Sequence, residues 1–121
     1  MTIRELVTKA HMLARQKGWY EGPPRNIGEL LALVHSEVSE ALEAYRTDYR
    51  EDIPSDGTAR RWFDGPPTVS AKPIGFASEL ADIVIRVADL AGYLGIDLEA
   101  EIERKHAFNL TRSHRHGGKR A

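Results

Sequence analysis

EVSEALEAYR at 37–46 and SELADIVIRVADLAG at 78–92 decide the fold, because both place apolar residues at intervals of three and four. That is the period of an α-helix with one buried face. Around the first, Ile27, Leu30, Leu31, Val34, Val38, Ala41, Leu42 and Tyr45 form one stripe. In the second, Leu80, Ile83, Val84, Val87, Leu90, Ala91 and Leu94 form another. Each segment also carries two acids three residues apart, Glu37 with Glu40 and Glu79 with Asp82. At 100° per residue, Glu37 and Glu40 fall about 80° and about 140° to one side of Ile27. Glu79 and Asp82 fall about 100° and about 160° to the same side of Leu80. Both acid pairs therefore flank an apolar stripe in the same sense.

Residues three apart are neighbours on a helix surface, so each pair offers two carboxylates together. Two such helices in contact would converge four carboxylates, a self-repelling group unless a cation is supplied. Mg2+, or Mn2+, is the natural counter-charge, because hard cations take oxygen ligands and often bind substrate phosphates as well. The competing explanation is ordinary surface charge, with Asp82 pairing Arg86 at i,i+4. That explanation suffices for either pair alone. It does not explain two pairs matched in side.

Outward from these segments the chain reads as all-α. Thr2 and Glu5 form a capping box for a helix to about Lys17, ended by Gly18. Asn26 with Glu29 caps the long helix, which runs to about Tyr49. Residues 50–75 hold Pro54, Pro66, Pro67 and Pro73 with two Asp-Gly turn signals, and read as a long irregular loop carrying Trp62 and Phe63. A third helix is expected from Phe76 to Leu94 with Gly95 at its C-cap. Asp97 caps a fourth that ends near Leu110.

The 121 residues suit one domain with its own core. With 17 Lys+Arg against 18 Asp+Glu, no bulk attraction to nucleic acid or membrane is implied. Cysteine is absent, which removes disulfides, thiolate metal sites and cysteine nucleophiles. With no bilayer-length apolar run and no apolar leader segment, a cytoplasmic protein is expected. The basic tail 112–121 contains four basic residues and no acid. Lys105, Asn109 and Arg112 recur at spacings of four and three, so one face near the end of the fourth helix could clamp a polyphosphate. The same residues would also serve as a basic last turn facing the helix dipole. His114 and His116 have metal-binding chemistry but stand in the tail.

EVSE and ELAD together resemble the ExxE…ExxD signature of the all-α NTP pyrophosphatases, the MazG-like superfamily. The approach Trp19…Pro24-Arg25-Asn26 and the run Lys105…Asn109…Arg112 resemble members of that group too, so the likeness covers most of the chain. It implies Mg2+-dependent cleavage of a nucleoside triphosphate between its α and β phosphates, giving monophosphate and pyrophosphate. It also implies a bundle of four to five helices whose core is completed in a homodimer, in some members a dimer of dimers. One departure is the 38 residues between Glu40 and Glu79, whose extra length lies in 50–75 and bears on substrate identity. On this reading Glu37, Glu40, Glu79 and Asp82 hold metal, and Glu40 orients or deprotonates the attacking water. Lys105 and Arg112 neutralise the leaving group, Asn26 reaches the nucleotide, and Trp19 stacks on the base. For Asn26 a capping role, and for Trp19 a buried helix-end anchor, are the plain alternatives. Two other classes stay open: a non-catalytic metal- or nucleotide-binding regulator, and a helical scaffold that meets nucleic acid through its basic tail.

Overall fold

A computed structural model describes residues 1–48 and 75–112. Within them the chain forms four helices, α1 (Ile3–Gln16), α2 (Ile27–Asp48), α3 (Phe76–Leu94) and α4 (Leu98–Leu110). Their ends follow local chemistry. Thr2 accepts from the Glu5 amide, Asn26 from the Glu29 amide, and Asp97 from the Ala100 amide. Each thereby satisfies a donor that the first helical turn leaves open. Gly95 closes α3 in the left-handed region, at φ 69°. The expected loop lies outside the described residues except for Gly75, and so do Trp62, Phe63, His114 and His116.

Helix α3 is the middle of the structure. It packs along α1 on one side and along α2 on another, while α4 leans on α1. The α1–α3 contact is built from small residues: Ala10, Ala88 and Ala91 are buried. At Gly92 the helices approach so closely that an added Cβ would stand 2.6 Å from the His11 Cβ. At the start of α1, Glu99 accepts from the Ile3 amide and Arg4 reaches Asp97, so the two N-termini brace each other. The Arg4 hydrogen bond, with the Ala100 amide, holds the Asp97 carboxyl below the usual carboxylate range. No helix among the described residues is long and apolar enough to cross a membrane.

The stripe on α2 is not buried as one face. Leu30, Glu37 and Ala41 are buried, a sector centred about 60° from Ile27 on the acid side. Ile27, Leu31, Val38, Leu42 and Tyr45, on the other half, are exposed. On α3, Leu80 and Val84 are exposed as well. Periodicity gives the stripe as one apolar face, and the structure divides it between a buried sector and an exposed one. The face that α2 turns toward α3 is rotated toward its carboxylates, and half of the apolar stripe faces outward.

Candidate functional site

That rotation is what assembles the acids. Glu37, at 8 % exposure, sits inside the α2–α3 contact instead of beside it. Glu40 is exposed and Glu79 is half-buried, with one oxygen shut off from solvent. Each of the three presents an oxygen within 4.8 Å of the others. Asp82 stands outside this trio but lines the same cleft as Glu37 and Glu40. Carboxylates this close repel by about a few kcal/mol per pair near a protein surface, less where Glu40 meets water. The donor set is all carboxylate oxygen, from two helices, with a buried member and an open one. It fits a hard divalent cation and is poorly suited to a soft one.

Arg86 supplies a counter-charge from within the chain. Arg86 Nε donates to Glu37 Oε1 at 3.0 Å, and both side chains are largely buried. The surface-charge alternative pairs Arg86 with Asp82, one turn away on its own helix; the structure pairs it with Glu37. Since α2 presents Glu37 directly to α3, the guanidinium crosses to it. The guanidinium carbon also stands 4.8 Å from the centre of the Trp19 ring, within cation–π range.

The cleft beside these groups has a volume of about 330 Å³. Its floor is α3, through Asp82, Ile85, Arg86 and Asp89. One wall is α1 and the turn after it, ending in Lys17 and Trp19; the other is α2, through Glu37 and Glu40. It exists because α1 and α2 both pack on α3. Trp19 is 46 % exposed, so it is a cleft wall and not a buried anchor. Its carbonyl accepts from Arg25, whose amide donates in turn to the Tyr93 hydroxyl. Those bonds fix the turn that presents Trp19. Asn26 is exposed and occupied as the N-cap of α2.

A second polar group escapes sequence reasoning altogether. Asp89 accepts from His11 Nδ1 at 2.9 Å and from the Tyr20 hydroxyl at 2.8 Å. The Tyr20 and Tyr93 rings stack at 4.6 Å, and His11 meets Tyr20 edge-on. Burial, with the bond to Asp89, pushes the Tyr20 hydroxyl well above the usual tyrosine range. These partners are 69 and 78 residues apart in sequence. The only local hint is that Asp89 lies on the same side of its helix as Asp82, two turns on.

Lys105, Asn109 and Arg112 are all exposed, Lys105 and Asn109 on α4 and Arg112 just beyond it, and none lines this cleft. The Arg112 guanidinium lies over the Phe108 ring instead. Within one copy, then, the acids and Trp19 meet, and the basic run stands apart. Comparison with protein-family models, with curated proteins and with solved structures finds no match.

Proposed function

We propose that the chain is a divalent-metal-dependent nucleoside triphosphate pyrophosphohydrolase. The observation that carries this reading is the convergence of Glu37, Glu40 and Glu79 from two helices, two of them lining a cleft that Trp19 also lines. The MazG-like signature read in the sequence supplies the bond cleaved, between the α and β phosphates.

A bound Mg2+ or Mn2+ supplies positive charge to phosphate oxygens and makes nearby water more acidic. Glu37 and Glu79, the more buried members, hold the cation, with Asp82 completing the set from the cleft floor. Glu40 is the open member, and it orients the attacking water and accepts its proton. Trp19 offers its ring to the base. The pyrophosphate leaves with one new negative charge, on the oxygen released from the α phosphorus, and Lys105, Asn109 and Arg112 are suited to meet it.

That last role fits a homodimer. The exposed halves of the stripes, Leu31, Val38, Leu42, Leu80 and Val84, form an apolar face that a second copy covers, and its α4 then brings the basic run near. Exposed apolar side chains grouped on two packed helices fit association between copies. Further pairing into a dimer of dimers is open to the same chain.

The test is pyrophosphate release from a panel of ribo- and deoxynucleoside triphosphates, with Mg2+ and then with excess chelator. Metal-dependent release of pyrophosphate and monophosphate is expected. Nucleotide binding without turnover would make the protein a regulator instead.

A further inference from the structure

We propose that Arg86 is a phosphate-contacting residue of this cleft, one held by Glu37 until the carboxylates receive a cation and kept beside them by Trp19. The inference depends on the metal-dependent reading above and goes beyond it, because neither the acidic signature nor the basic run contains Arg86.

Three observations carry it. Arg86 neutralises a member of the trio: its Nε binds the same Glu37 carboxylate that is placed to hold metal. A guanidinium and a divalent cation compete for those oxygens, so filling the trio weakens Arg86's hold on Glu37. The side chain has somewhere to stay, since the Trp19 ring 4.8 Å away supports the flat guanidinium by cation–π attraction. It is also tethered at the reacting end, one turn along α3 from Asp82 on the cleft floor. A guanidinium carries five N–H donors in a fork that matches phosphate oxygens, and the Glu37 hydrogen bond uses one of them. Where a phosphate enters beside the trio, Arg86 is a cation already in place. A permanent brace for Glu37 is the opposing account, and the two differ in what happens to metal affinity when the charge is removed.

The test uses the full chain with Trp62→Phe, which leaves Trp19 as the only tryptophan. Mg2+ alone, and then inorganic pyrophosphate with saturating Mg2+, are titrated by calorimetry and by Trp19 fluorescence. In the parent, Mg2+ shifts the Trp19 emission. In Arg86→Gln, Mg2+ binds about fivefold more tightly, because a competitor of ordinary ion-pair strength is gone. The Trp19 shift disappears, and pyrophosphate binds about tenfold more weakly. Weaker Mg2+ binding in Arg86→Gln would show a brace and overturn the proposal, as would unchanged affinities for both ligands. If circular dichroism shows that Arg86→Gln does not fold, Arg86→Lys decides. It is expected to keep Mg2+ affinity and bind pyrophosphate about threefold more weakly, the fork being lost; unchanged pyrophosphate binding overturns the proposal. No Mg2+ binding by the parent ends the metal-dependent reading and the Arg86 role together. Failure of the Arg86 role alone leaves the parent's Mg2+ isotherm intact.

Discussion

The two ends of the α3 floor treat negative charge in opposite ways. At the Asp89 end, one carboxylate meets two donors, His11 and Tyr20, each within 2.9 Å. At the Glu79 end, three carboxylates converge within 4.8 Å, and Arg86 pairs with Glu37. A buried carboxylate matched by donors from its own chain stabilises a fold. A group in which like charges crowd could take a cation from outside. The difference separates an acid matched by its own chain from three that could hold a cation from outside, although all of them sit on or against the same helix.

Glu40→Gln breaks the comparison most sharply. Turnover of triphosphates is expected to fall at least about 100-fold, the usual scale for losing a general base. Thermal stability should stay level or rise, because one of three crowded charges has gone. Pyrophosphate release and a circular-dichroism melt on the same sample check both halves. A large loss of stability would move Glu40 into the structural class with Asp89.

Val84→Asp addresses the outward face. Val84 is 54 % exposed in one copy, so a carboxylate there costs the single chain little. Buried unpaired at the centre of a two-copy interface, it is expected to weaken association by about 100-fold or more. Light scattering during gel filtration should show a dimer become a monomer. A wild-type chain that is already monomeric would leave the apolar half-stripes without the partner proposed for them.

Gly92→Ala tests the α1–α3 contact that holds Asp89's partners. The new methyl meets His11 at 2.6 Å. The helices must part or His11 must turn, at a cost of about 1–3 kcal/mol. The melting temperature should drop, while Mg2+ affinity at the other end of α3 stays within about twofold, the two sites being far enough apart to act independently.

What the sequence made legible follows the same division between local and distant causes. Helix ends were readable because Thr2, Asn26, Gly95 and Asp97 act within a few residues of themselves. The flank on which the acids lie was readable from the 100° step. Which half of the α2 stripe is covered was not, since that depends on where α3 lies, and periodicity alone reports only that a face is apolar. Spacing offers Asp82 as a partner for Arg86 only as the surface-charge alternative, and the structure pairs Arg86 with Glu37, 49 residues away. The His11–Asp89–Tyr20 group has no sequence signature at all, because each bond joins α3 to residues at the other end of the chain.

The smallest expected effect sharpens the comparison from the structural side. Tyr20→Phe removes the hydroxyl that donates to Asp89 and leaves the ring to stack on Tyr93. His11 still serves the carboxylate, so the loss is about 1 kcal/mol, with Mg2+ affinity unchanged. The sign with pH is fixed by the raised Tyr20 pKa. Below the ordinary tyrosine value of about 10, the hydroxyl is protonated both folded and unfolded, and the bond contributes fully. Above it the unfolded chain ionises first, so that contribution declines and is lost as pH rises through the folded value. Melts of wild type and Tyr20→Phe should therefore differ by a constant amount from about pH 7 to about pH 9, and by less above about pH 10. A Tyr20→Phe protein that instead loses Mg2+ binding would show that the two ends of α3 are coupled, and that Asp89 belongs with the functional acids.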